Sequence, residues 1–429
     1  MLTTRTFLLI VRTCRFAAWI WAACLTLGLS LPCVGVSAQP ANTPSILEMP
    51  GNVVRVPFTY ENGFLVIDLM FERILPLRFI LDTGSEYTIL TQKAISDLLK
   101  LPYDREYQMI GSDMQTIIKA LLIRDVSMEI KRMNLLHRDI LVTVEDYFQI
   151  NYFTGSPIHG ILGADILHHF VLRINYERHY VEFIKPGSFH PKEDYAEIPL
   201  TLHRNKPYLS LSTRIHENTP STAFKYLLDT GAALPLLLLT NSHPAISLPA
   251  NVVQGILGVG LGGFLTGAKG RIQQVHMGPF PMNNLVGSFQ DISLYPDTTH
   301  LQGRQGILGN LVLDRFDLVL DYPRERMLIR PNGDYADPFP IDRSGLFLIS
   351  SGFDLNTIMV QEVIPGSPAF FADIRPGDII KSYRRWPVSF FGLDGLTKRF
   401  RMEEGKKIHL TIARGRNRLH RSFLLKDYI

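Results

Sequence analysis

Cysteine is almost missing from this 429-residue chain, and where it is missing matters. All three cysteines, Cys14, Cys24 and Cys33, lie in the first 33 residues. Past residue 38 there is no thiol at all, which excludes disulfides and cysteine-held metals from the folded part. Long apolar runs are also scarce: one uncharged run spans Phe16 to Ala38, behind Arg5, Arg12 and Arg15. It ends in Val36-Ser37-Ala38 before Gln39, a small-residue cleavage signature, so residues 1–38 are expected to be a signal peptide. An uncleaved anchor is the alternative, and only that alternative ties the chain to a membrane. The expected destination is a periplasm or the extracellular space.

A zinc helix is lacking too. His159, His168, His169 and His179 cluster in sequence, yet no pair stands four apart around a Glu, so no metal is expected. Charge is uneven rather than extreme. Residues 39–341 hold 26 Lys and Arg against 31 Asp and Glu, a net of −5, and residues 342–429 hold 15 against 9, a net of +6. Nothing pairs the basic tail with the aromatic repeats or helical frames of nucleic-acid modules, so no nucleic-acid partner is expected. The remaining 390 or so residues suffice for two or three domains.

What is present is a duplication. Phe79-Ile80-Leu81 runs into Asp82-Thr83-Gly84-Ser85, and Tyr226-Leu227-Leu228 runs into Asp229-Thr230-Gly231-Ala232. Asp229 stands 147 residues after Asp82. Gly160-Ile161-Leu162-Gly163 returns 146 residues later as Gly306-Ile307-Leu308-Gly309, and Asn175-Tyr176 returns at the same offset as Asp321-Tyr322. Three markers in one register imply a repeated unit of domain size, while repeats of 20–50 residues would mean a solenoid.

Across residues 50–335 this pattern resembles the aspartic peptidases, and each half is more similar to a retropepsin subunit than to a pepsin lobe. The resemblance implies a mostly β fold of two acid-protease-type lobes, at 51–188 and 189–335, after a linker at 39–50. It implies an exported endopeptidase acting on a peptide or protein substrate, with Asp82 and Asp229 sharing one proton and activating a water. Thr83 and Thr230 would cross-bond the two loops, and Gly84 and Gly231 would allow tight turns. Water is the nucleophile, so no cofactor is implied. The copies differ where Ser85 faces Ala232. A Ser85 hydroxyl donating to its carboxylate would lower that pKa, and Ala232 offers none, which suggests a dyad working from mildly acidic to neutral pH. A non-catalytic peptide-binding or scaffold protein on the same fold is the competing reading.

Local signals fill in the frame. β-rich runs flank Asn62-Gly63 and predict a hairpin over Val53–Phe71. Apolar spacing predicts helices over 91–101 and 164–170. The turn Gly111-Ser112-Asp113 is either a substrate-covering flap or a plain surface hairpin. The stretch from Gly255 to Gly270 formally spells a dinucleotide fingerprint, but Gly267 and Gly270 break the helix that fingerprint requires. The position after Asp229 matches a second flap through Gly260, Gly262 and Gly263, with an ordinary glycine-rich loop as the alternative. Pro331 to Pro340 reads as a boundary. Residues 342–429 resemble a PDZ domain, with Gly345-Leu346-Phe347-Leu348 where that family binds a terminal carboxylate and Phe347 where it usually has Gly. Strands are expected at 357–363, 408–413 and 419–425, and a helix at 393–402. The resemblance implies a C-terminal peptide ligand, by which this part would recruit or regulate substrate; a PDZ-like fold that only packs against the peptidase is the alternative.

Overall fold

A computed structural model describes residues 47–429 apart from 192, 296 and 297. The expected signal peptide lies outside the described residues, as does most of the expected linker. Among the described residues the fold is mostly β, in four sheets. Among the described residues no helix is long and apolar enough to cross a membrane.

The first lobe is a nine-stranded sheet and the second an eight-stranded sheet. Their central strands read as near-continuous apolar runs because both faces are covered. Phe64–Phe71 and Leu75–Leu81 pair antiparallel in the first lobe, as Lys206–Arg214 and Thr222–Leu228 do in the second. Phe64, Phe79, Phe224 and Tyr226 are fully buried, each such side chain contributing roughly 1.5–3 kcal/mol.

A six-stranded sheet joins the lobes. Val171–Asn175 pairs with Phe316–Asp321, Asn175 opposite Asp317 and Val171 opposite Asp321. The repeated strands therefore pair with each other across the duplication. Val53–Pro57 joins this sheet against Tyr180–Ile184, which corrects the expected Val53–Phe71 hairpin. Only Thr59–Glu61 folds back on Phe64–Phe71 around Asn62-Gly63. Pro57 has no N–H to continue a ladder, and Phe58 turns its own N–H to the His179 carbonyl at 3.0 Å.

The expected helices are shorter than their apolar spacing. They run Lys93–Leu98 and Ala164–Leu167. Phe170 is fully buried and the next strand starts at Val171, so the chain leaves the helix to reach the core.

The C-terminal module has its own sheet and core. Its strands run in the order Leu346–Ser351, Thr357–Val363, Ile379–Tyr383, Lys407–Arg414, Asn417–Leu424. The helix Gly392–Phe400 buries Leu393, Leu396 and Phe400 against them. The segment leading in is held at several points. Arg315 donates to the carbonyls of Asp334, Asp337 and Pro338 and lies 4.7 Å from the Phe339 ring centroid.

Candidate active site

Leu75–Leu81 and Thr222–Leu228 each deliver an aspartate at the seam between the lobes. Each lies parallel to a short strand, Gly160–Leu162 and Gly306–Leu308, in the same register: Phe79 faces Gly160 and Tyr226 faces Gly306. The backbone bonds repeat as well. Asp82 N donates to Leu162 O and Asp229 N to Leu308 O, both at 3.0 Å. Ala164 N donates to Ser85 O at 2.8 Å and Asn310 N to Ala232 O at 2.9 Å. The two loops are built alike because the same tripeptide meets the same parallel strand.

The threonines bind the loops to each other. Thr83 N donates to Thr230 Oγ1 and Thr230 N to Thr83 Oγ1, both at 3.0 Å. Thr83 Oγ1 donates on to Leu228 O at 2.7 Å, and Thr230 Oγ1 to Leu81 O at 2.8 Å. Both side chains are fully buried, so every polar group in this ring has its partner inside the protein.

Gly84 and Gly231 serve a different need from the expected tight turn. Neither has positive φ. A Cβ on Gly84 would overlap the Asp229 carboxyl, and a Cβ on Gly231 would overlap that of Asp82. Glycine here leaves space for the opposite lobe's acid. The two carboxyls are in hydrogen-bond contact with each other.

Burial pushes both aspartates above the ordinary carboxylate range, and for Asp82 the charge of Asp229 adds to it. Asp82 Oδ1 accepts the N–H groups of Gly84 at 2.7 Å and Ser85 at 2.9 Å. Asp229 Oδ1 accepts Gly231 N–H at 2.8 Å, and the positive Arg304 and Lys206 face it. The expected role of the Ser85 hydroxyl is corrected: it donates to Tyr87 O at 2.8 Å. Ser85 acts on Asp82 through its backbone, a group Ala232 also possesses. The pair is asymmetric: Asp82 Oδ1 takes two backbone N–H groups, while the ionised Asp229 is favoured by the bond with Asp82, then by Gly231 N–H, and then by Arg304 and Lys206.

Two long hairpins, one from each lobe, meet at their tips. Tyr103–Ile110 and Ile117–Ile130 form the first, turning through Gly111, Ser112 and Asp113. Val252–Gly260 and Gly263–Met277 form the second, with Gly260 opposite Gly263 at the tip. No helix follows the glycines. Ser112 N donates to Leu261 O, and Thr116 Oγ1 to Gly262 O at 3.3 Å. Gly262 has φ +111°, and a Cβ there would strike the Asp113 carboxylate. Each tip packs on the opposite lobe. Met114 rests on the cluster of Leu234, Leu237 and Leu257 with Ala232. Val259 joins Ile80, Ile89 and Ile161.

Sequence reasoning missed Asn310, Lys206 and Arg304. Asn310 is fully buried; its amide donates to Thr230 O and, at 2.8 Å, to Gly63 O, while Tyr176 Oη donates to its Oδ1 at 2.8 Å. Aligning the copies sets this Asn against Ala164, and a polar residue entering a buried position was the available signal. Lys206 and Arg304 carried none, because their nearness to Asp229 is created by folding.

The loop at Gly345-Leu346-Phe347-Leu348 is occupied from within. Asp342 Oδ1 accepts the N–H groups of Ser344 at 2.9 Å and Gly345 at 2.8 Å, and Leu346 N donates to Ser344 Oγ at 3.1 Å. His168 gives its Nδ1 to Ala164 O at 2.8 Å.

No family model matches the chain, and no curated protein matches it. Among solved structures it is similar to basic 7S globulin from soybean, at 12% identity over 67% of this chain and 97% of that one, with a TM-score of 0.42. It is likewise similar to the aspartic proteinase from Irpex lacteus, at 12% identity over 67% of this chain and 99% of that one, with a TM-score of 0.41.

Proposed function

We propose that this protein is an aspartic endopeptidase in which Asp82 and Asp229 form one catalytic pair. The observation that carries the reading is the reciprocal threonine bonding that brings the two carboxyls into contact at the lobe seam. Two buried carboxyls in contact retain one proton between them. The bond with Asp82, the Gly231 N–H and then the cations Arg304 and Lys206 favour the charge on Asp229, which leaves the proton on Asp82.

The chemistry follows from that asymmetry. Asp229 takes a proton from a water as its oxygen attacks the peptide carbonyl carbon, and Asp82 gives its proton to the carbonyl oxygen. The product is a neutral gem-diol. Asp229 then protonates the amide nitrogen while Asp82 removes a proton from one hydroxyl, the C–N bond breaks, and both acids return to their starting state. The paired hairpins would cover the peptide and exclude bulk water during these steps. The leader-like residues 1–38 support export as the route by which the enzyme reaches its substrates.

The test is cleavage of a diverse peptide pool between about pH 3 and about pH 8, where a shared-proton pair has its active window. Asp82→Asn and Asp229→Asn should each abolish cleavage, and a statine-type transition-state mimic should block the unmutated protein. Cleavage surviving both substitutions would refute the assignment. Absence of both cleavage and mimic binding would favour a non-catalytic use of the fold.

A further inference from the structure

The second hairpin is the one that needs holding. Its tip-forming half carries seven glycines between Gly255 and Gly270, and Val252–Gly260 is an edge strand of its sheet. Glycine adds freedom that must be lost on ordering, and an edge strand leaves outward N–H groups without ladder partners. The pairing also slips between Ile256 and Gly258.

The C-terminal module meets this hairpin at that slip. Glu362 Oε2 accepts the Ile256 backbone N–H at 2.8 Å. A Cβ on Gly255 would come within 3.0 Å of the same carboxylate. Phe347, the residue opposite Glu362 on the neighbouring strand, stacks on Phe153 of the first lobe at 5.8 Å and meets Phe264 of the hairpin edge-on at 5.9 Å. At the hairpin's other strand, Arg271 pairs with Asp427 at 2.5 Å. A cavity of about 160 Å³ remains between these contacts, lined in part by Lys269, Asp342, Glu362, Arg401 and Tyr428.

The module's own groove is turned inward. Gly155 of the first lobe lies against Ser350 and Leu393, the strand and helix that flank it. At the start of the loop, Gly345 N–H is taken by Asp342 and Leu346 N–H by Ser344 Oγ.

We infer that the C-terminal module is a built-in holder of the second hairpin, with Glu362 and Phe347 as the positioning residues that keep it over the paired aspartates. This rests on the peptidase reading of the cleft. Phe347 thereby finds a use that glycine could not supply: its ring bridges a lobe and a hairpin.

The test is amide hydrogen exchange of the full chain, read on peptides covering 252–265 and, as an internal control, 408–424. Glu362→Ala should speed exchange over 252–265 by about tenfold or more, the loss expected for a hydrogen bond to a charged acceptor, with 408–424 unchanged. Phe347→Ala should act in the same place. Glu362→Gln, whose amide oxygen still accepts, should stay close to the unmutated protein. Steady-state cleavage should show KM rising in Glu362→Ala while kcat holds. No change over 252–265 in either alanine variant would overturn the holder, as would equal acceleration in both regions. The exchange arm decides the holder even if no substrate is cleaved; the aspartate substitutions and mimic binding decide the peptidase reading.

Discussion

Arg304 favours an ionised Asp229, and Lys206 acts on both aspartates. Both cations are themselves pushed below their ordinary pKa by burial, and both favour an ionised Asp229. An active pair must hold one proton, so activity fails at low pH when Asp229 gains a second and at high pH when Asp82 loses the first. Burial raises both carboxyls, which moves this window above that of solvent-exposed aspartates. Removing the Arg304 charge makes the ionised Asp229 less favourable, so its pKa rises further. Arg304→Gln should therefore shift the acid limb of the kcat/KM profile to higher pH and narrow the window from that side. A pH–rate profile with an unmoved acid limb would contradict the assignment of the charge to Asp229.

At the scale of elements, the two aspartate loops behave as one unit because each threonine serves both. Thr230→Val removes the acceptor for Thr83 N–H and the donor for Leu81 O, leaving two buried polar groups unpaired. The expected cost is about 2–6 kcal/mol, at roughly 1–3 kcal/mol for each stranded group, measured as a lower midpoint of urea unfolding. Thr83→Val should cost a similar amount by the same geometry, and Thr230→Ser should recover most of it because the hydroxyl returns. Much at this scale was legible in the sequence. The strand Thr357–Val363 and the turn at Asn62-Gly63 follow from alternation and turn chemistry. Helix ends were less legible, since Ala164–Leu167 stops where Phe170 is drawn into the core, a demand that local spacing does not express.

At the scale of the molecule, the lobes are joined through the six-stranded sheet, and Asp317 is a buried charge where their strands pair. Arg173 of the other lobe reaches it at 2.8 Å, Arg330 at 2.9 Å and the Tyr195 hydroxyl at 2.7 Å. Burial alone would raise its pKa, but the bonds from Arg173 and Tyr195 outweigh burial and hold the carboxyl below its ordinary range. A depressed carboxyl pKa stabilises the fold above the unfolded value, and that stability is lost as pH falls through the folded value. Asp317→Ala should destabilise the protein by about 2–3 kcal/mol, less than the cost of breaking a fully buried pair because both arginines still reach solvent. Urea unfolding should show this deficit at neutral pH and its decline on acidification. An equal deficit at every pH would mean that packing, rather than charge, joins the lobes here.

The sequence by itself determined the duplication and the residues at its centre. Asp-Thr-Gly and Gly-Ile-Leu-Gly recur at offsets of 147 and 146 residues because each pair is made by contacts within one repeat, between a strand and the parallel strand beside it, so local patterning records them. The tertiary structure decided what happens between repeats and beyond them. Gly84 is glycine because of Asp229, Val53–Pro57 joins the central sheet because of Tyr180–Ile184, and Ile256 is bonded by Glu362 from 106 residues away. Such contacts depend on which surfaces meet when the chain closes, and a single sequence carries no period or spacing that marks them.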